Sequence, residues 1–240
     1  ELRWRLLRIA IYVFVGFCAA WYFRNDIVAM LQYPITEALK ENSGKLVALG
    51  ITDVFMLHLK VCAFAGVVIG FPGITLEFWG FVSPGLFKHE KIYMTLFLVS
   101  SQVLFIAGIL FAYLLVIPYG YKFLVQYSLD TGSSVLTPIS PDLSLDILRF
   151  IIFTAMFALS FGLLFELPLI IIVLVSSGLV PRSFFAKNRK YILVVLMVIS
   201  AALTPPDPLT MVAMTLPLYF LYEAGLLVTF FTQPKKKLIE

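Results

Sequence analysis

The chain has 240 residues, of which 61% are hydrophobic and 13% charged, and its formal net charge is +4. A soluble domain carries about 45–50% apolar and about 25% charged residues, so this chain is too apolar to close over a water-exposed surface. Its pI near 9.0 does not point to nucleic acid, because no soluble basic face exists to carry it; the bias of Lys and Arg toward the cytosolic side of a membrane protein accounts for the excess. Residue 1 is Glu rather than Met, so the natural chain is expected to begin upstream. No small-residue cleavage site follows the first apolar run, so no cleaved signal peptide is expected.

A helix needs about 20 apolar residues to cross the hydrocarbon core. Six runs qualify or come close: residues 4–23, 53–71, 92–119, 147–174, 191–204 and 209–231. The expected fold class is therefore all-α, a single membrane-embedded domain over 1–240 built as a six-helix, concave bundle. The connections differ in character. Residues 24–52 are long and mixed, contain Pro34, and could hold a short amphipathic helix over 38–49. Residues 72–91 carry Pro72, Gly73, Gly80, Pro84 and Gly85 and read as a loop. Residues 120–146 are polar, and Ser140-Pro141-Asp142 reads as a cap and first-turn proline for the fourth helix. Pro205-Pro206-Asp207-Pro208 is a stiff turn that no helix can run through.

With the N-terminus inside, twelve Lys and Arg fall on the cytosolic side and five on the other, with Lys60 at a helix end. That asymmetry predicts both termini in the cytosol. The fifth run spans about 21 Å of helix against a core of about 30 Å. The sixth is expected to be of similar length if Glu223 marks its cytosolic boundary. Two short helices joined by a proline-rich turn should thin the bilayer or draw the turn at Asp207 to or below the outer surface.

Glu166 is the sharpest chemical signal. It lies inside the fourth run, where a charged group costs roughly 2.5–3.5 kcal/mol at the bilayer centre. Pro168 follows and frees backbone carbonyls at the same depth. A protonated carboxyl bonded inside the bundle is the simpler explanation; a contact for a partner helix or a proton site is the functional one. Ser100, Ser101 and Gln102 read as interhelical contacts, and Gly66 with Gly70 as a close-packing spacing. Cys18 and Cys62 lie in apolar runs and read as buried small hydrophobes. The scattered cysteines and histidines give no metal or haem spacing, and there is no phosphate loop or nucleophile elbow. No metal, no cofactor and no enzymatic activity are expected. Glu1 and Glu90 both fall at cytosolic helix ends. Two carboxylates there could receive an arginine-containing peptide by bidentate hydrogen bonds that Lys cannot match; solvated surface charges are the plainer alternative.

Five segments together resemble the TatC family, the multispanning subunit of the twin-arginine protein translocase. ELRWRLL at 1–7 resembles its ELRxRL start, and FWGFVSPGLFKHE at 78–90 its first cytosolic loop. FGLLFELP at 161–168 resembles its intramembrane F-x-x-x-F-E-x-P pattern. LTPPD at 203–207 and YFLYE at 219–223 resemble its late turn and its Glu-ended aromatic stretch. The resemblance covers about residues 1–232. It implies a receptor in the bacterial-type inner membrane that binds twin-arginine signal peptides of folded preproteins on its cytosolic face. It also implies contact with the small single-span TatA-type and TatB-type subunits, transport driven by the proton-motive force, and a possible homo-oligomer. Matched residue by residue, the signal-peptide positions are Glu1, Arg3, Phe81, Pro84, Leu86, His89 and Glu90. Glu166 matches the buried acid, Pro34 a functional proline of the first outer loop, and Asp207 and Glu223 are further candidates.

The competing class is a secondary transporter with Glu166 as its proton or substrate site. Such folds carry interrupted helices in corresponding halves. The fourth run has no counterpart in the first three, and no second intramembrane charge is evident to pair with Glu166.

Overall fold

The computed structural model describes residues 2–40, 45–47, 50, 52–82, 91–123, 126, 144–203 and 208–232. Its described elements are helices, with one short pair of strands. Helix α1 spans Leu2–Tyr22, α2 Arg24–Lys40 and α3 Asp53–Val82. Helix α4 begins at Lys91–Phe111 and continues through a π turn at Ala112–Val116 as far as Phe123. After Ser144–Asp146 come α5 Ile147–Leu164, α6 Leu167–Ser176, α7 Arg182–Lys187, α8 Arg189–Leu203 and α9 Pro208–Thr232. Strands β1 (Lys45–Val47) and β2 (Ser144–Asp146) pair in parallel, Leu46 opposite Leu145. Among the described residues, four segments are long and apolar enough to cross a membrane: Arg3–Tyr22, Asp53–Gly80, Thr95–Phe123 and Ile147–Ser176.

Several sequence expectations change. Residues 24–40 are already helical, so Pro34 sits inside α2 and not in an irregular loop. Where a helix was expected over 38–49, Lys45–Val47 is a strand. Helix α3 runs past Pro72, Gly73 and Gly80 to Val82, because a proline that breaks a soluble helix is tolerated where neighbouring groups re-satisfy the backbone. Gly73 serves packing there: a Cβ would come within 2.4 Å of the Tyr12 ring. The cap of α5 comes from Asp146, whose Oδ1 accepts the Leu148 N–H at 3.0 Å; Ser140-Pro141-Asp142 lies outside the described residues. Helix α9, 25 residues long over Pro208–Thr232, agrees with the expected run 209–231 and holds Glu223 in its interior. Cys62 is buried, whereas Cys18 is exposed on α1.

The chain groups into two compact units, one of Glu1–Phe78 with Ile109–Phe161, the other of Trp79–Gly108 with Gly162–Glu240. In the first, α1 and α3 approach so closely that a Cβ on Gly16 would lie 2.4 Å from the Gly66 carbonyl oxygen. Gly70 meets the Tyr12 backbone in the same way, at 3.0 Å. The Gly66/Gly70 spacing thus serves packing within the chain, since only small residues let helix backbones touch. Leu57, Val61 and Ile151 form a core cluster against which Ile27, Val28 and Leu31 of α2 pack. The buried Tyr121 hydroxyl meets the Thr154 hydroxyl at 2.6 Å and donates to the Phe150 carbonyl at 3.0 Å.

In the second unit, Trp79 stacks on Phe97 at 5.4 Å and packs with Leu169 and Val173. Helix α9 lies on α6 where Gly225 faces Pro168; a Cβ on Gly225 would be 2.7 Å from the Pro168 Cα. Helices α8 and α9 are tied by Thr215 donating to Ser200 at 3.1 Å. Helix α8 has 15 residues, about 22 Å of rise. Residues 204–207, the turn between α8 and α9, lie outside the described residues.

Candidate functional site

The family-matched peptide positions divide by what the structure describes. Arg3 is exposed in the first turn of α1, and Phe81 is in the last turn of α3. Glu1, Pro84, Leu86, His89, Glu90 and Asp207 lie outside the described residues.

A third carboxylate marks this end of α1 and α3. Arg5 and Arg8 fall one turn apart on α1, near a helix start where the dipole disfavours positive charge. Both reach Glu77 of α3. Arg8 Nη1 is 3.1 Å from Glu77 Oε1, and Arg5 Nη1 is 3.5 Å from Oε2 and donates to the Glu77 carbonyl at 3.2 Å. Glu77 is only 8% exposed, Arg5 21% and Arg8 53%. The carboxylate is therefore shielded by apolar helix and balanced by two guanidinium groups, the arrangement a buried charge requires. It brings the ELRWRLL segment beside the residue that immediately precedes the Phe78 segment. Sequence reasoning treated Arg5 and Arg8 only as topology signals and passed over Glu77. The signal that could have found it is a lone acid in an otherwise apolar stretch, with two arginines at i and i+3 elsewhere needing compensation.

Glu166 stands at a break. Helix α5 ends at Leu164 and α6 begins at Leu167, with Glu166 as its N-cap residue and Pro168 in the first turn. The Pro ring cannot follow a straight helix without displacing the carbonyl four residues back, so the ladder resets here: the Glu166 N–H bonds Leu163 O at 3.2 Å, and the Ile170 N–H bonds Glu166 O at 3.0 Å. The side chain makes no capping bond. Its hydrogen-bonding neighbour is the buried hydroxyl of Ser101, while Oε1 is buried with no partner. An unpaired acceptor in such a place carries its full desolvation penalty. A proton on the carboxyl, or a donor brought by another helix, would relieve it.

Glu223 belongs to a third arrangement. Arg189 reaches it with both Nε (2.9 Å to Oε1) and Nη2 (3.1 Å to Oε2), a bidentate pair across α8 and α9. The Tyr219 hydroxyl donates to the same carboxylate at 3.0 Å, and Tyr222 donates to the Phe185 carbonyl at 2.8 Å. Glu223 thus fastens the α8–α9 hairpin, and its oxygens are already engaged. Pro34 is buried in α2, where the preceding Tyr33 carbonyl accepts from the Thr36 hydroxyl at 2.8 Å. The structure gives Pro34 a packing place.

The family model described as Sec-independent protein translocase protein (TatC) matches residues 1–217. A Sec-independent protein translocase protein TatC from Desulforapulum autotrophicum is 36% identical over 227 residues, covering 95% of this chain and 80% of the relative. The protein of that name from Aquifex aeolicus is 35% identical over 240 residues, covering 100% and 96%. A crystal structure of the twin arginine translocase receptor TatC superposes with a TM-score of 0.82 at 32% identity, covering 96% of this chain and 97% of the other.

Proposed function

This chain belongs to the TatC family of Sec-independent protein translocases, and from that premise we propose that it is the receptor subunit for twin-arginine signal peptides. In this reading it sits in a bacterial-type inner membrane with six spans and both termini in the cytosol. The peptide's arginines are received by Glu1 and Glu90, with Arg3, Phe81, Pro84, Leu86 and His89 shaping the site around them. TatA-type and TatB-type single-span subunits are its partners, more than one copy of the chain can assemble, and the proton-motive force drives transport. Pro34 holds the outer-side helix in place, and the Asp207 turn lies at or below the outer surface.

The observation that carries the reading is the meeting of Arg5 and Arg8 with Glu77, which joins the ELRWRLL segment to α3 just before the second peptide-binding segment. Glu166 supports it separately, as a buried acceptor awaiting a donor. A secondary transporter would need a charge that Glu166 could exchange with; its neighbour is a hydroxyl, Ser101.

The test is crosslinking of an Arg-Arg and a Lys-Lys signal peptide to wild type, Glu1→Ala and Glu90→Ala in membranes. The Arg-Arg peptide should crosslink to wild type selectively, and each variant should lose most of the yield, in line with the about 2–5 kcal/mol that truncating one partner of a shielded pair removes. Equal yields in all combinations would place the site elsewhere.

A further inference from the structure

We propose that Glu77 is an arginine-exchange site, at which a guanidinium of the incoming peptide displaces Arg8. This rests on the peptide-receptor reading above and extends it to a carboxylate outside the matched peptide positions. The two resident arginines are held unequally. Arg5 is largely buried and contacts both the carboxylate and the backbone carbonyl of Glu77; among the described residues, half-exposed Arg8 makes one ion pair, to Oε1. A carboxylate is best satisfied by the two parallel N–H bonds of a single guanidinium fork, yet here the two oxygens are shared between two different side chains. Among the described residues, neither fork is complete. An arriving arginine that takes the place of Arg8 finds a carboxylate already desolvated and positioned by Arg5. Arg8, at the exposed edge, returns to water at little cost, because a half-exposed pair is weak. Lysine cannot make the exchange equally well, since its ammonium is a point charge that lacks the fork.

An exchange site and a merely structural ion pair predict opposite effects for removing the two partners. The experiment uses the full chain in lipid nanodiscs and measures equilibrium affinity for an Arg-Arg and a Lys-Lys signal peptide. Glu77→Gln should weaken Arg-Arg binding by about fivefold or more and leave Lys-Lys binding nearly unchanged, as expected for loss of a charge-assisted pair. Arg8→Gln should strengthen Arg-Arg binding by about three- to fivefold, because the site no longer has to be vacated. Misfolding cannot raise affinity, so Arg8→Gln decides. A loss of Arg-Arg affinity in Arg8→Gln, or no change, would reduce the pair to a structural clamp. An equal gain for both peptides would ascribe the effect to bulk charge and overturn the exchange. If wild type fails to prefer the Arg-Arg peptide at all, the receptor reading itself fails, and the exchange falls with it.

Discussion

Glu77 and Glu166 are carboxylates set in apolar helices, and the chain treats them in opposite ways. Glu77 faces two guanidinium groups, and each oxygen has an ionic partner. Among the described residues, Glu166 has a hydroxyl neighbour, Ser101, and one buried oxygen without a partner. The first is a charge site, where two guanidinium groups converge on one carboxylate. The second is a polarity site, where a buried acceptor offers a hydrogen bond to a donor from another helix. Substitution by glutamine separates the two: it keeps hydrogen-bonding capacity and removes charge.

The largest effect on transport is expected at Glu166. Glu166→Leu and Glu166→Ala remove both oxygens and should lower transport of a twin-arginine reporter by tenfold or more, about 1.4 kcal/mol or above. Crosslinks to TatA-type or TatB-type helices should weaken in parallel. Glu166→Gln should retain much of the activity at matched membrane levels. A glutamine variant as inactive as the alanine variant would point to a required proton or charge and end the neutral-contact account.

At Glu77 the order reverses. Glu77→Gln should destabilise the protein nearly as much as Glu77→Ala, by about 2–4 kcal/mol, less than a fully buried pair because Arg8 is half-exposed. Unfolding free energy in detergent micelles measures this. A glutamine variant as stable as wild type would show that charge is not what Glu77 supplies.

The smallest effect is expected at Glu223. Its pair with Arg189 has good bidentate geometry, but Arg189 is half-exposed, so Glu223→Gln should cost about 0.5–1 kcal/mol in the same assay. A loss as large as that at Glu77 would mean that the α8–α9 hairpin depends on this clamp far more than its exposure implies.

The helices were largely legible because lipid crossing demands long apolar runs, and those runs survive in the sequence whatever the packing. What misled were residues whose meaning depends on solvent. Pro72 and Gly73 read as a turn by the rules of soluble proteins, yet they sit within α3, with Gly73 making room for the Tyr12 ring. Glu166 was legible for the converse reason: a carboxylate in that setting is expensive wherever it points. Glu77 was not legible, because its significance lies in two arginines some seventy residues earlier, and only the close approach of α1 and α3 at their glycines brings them together. The extent of α9 was legible from its apolar run, whereas the partners of Glu223 were not: Arg189 and Tyr219 engage its carboxylate within the hairpin.

The central claim is that this chain recognises paired arginines, and equilibrium titration of the wild-type protein in nanodiscs tests it most directly. An Arg-Arg signal peptide should bind at least about tenfold more tightly than its Lys-Lys counterpart, the margin expected when bidentate guanidinium contacts to shielded carboxylates are replaced by point charges. Equal affinities for the two peptides would contradict the account.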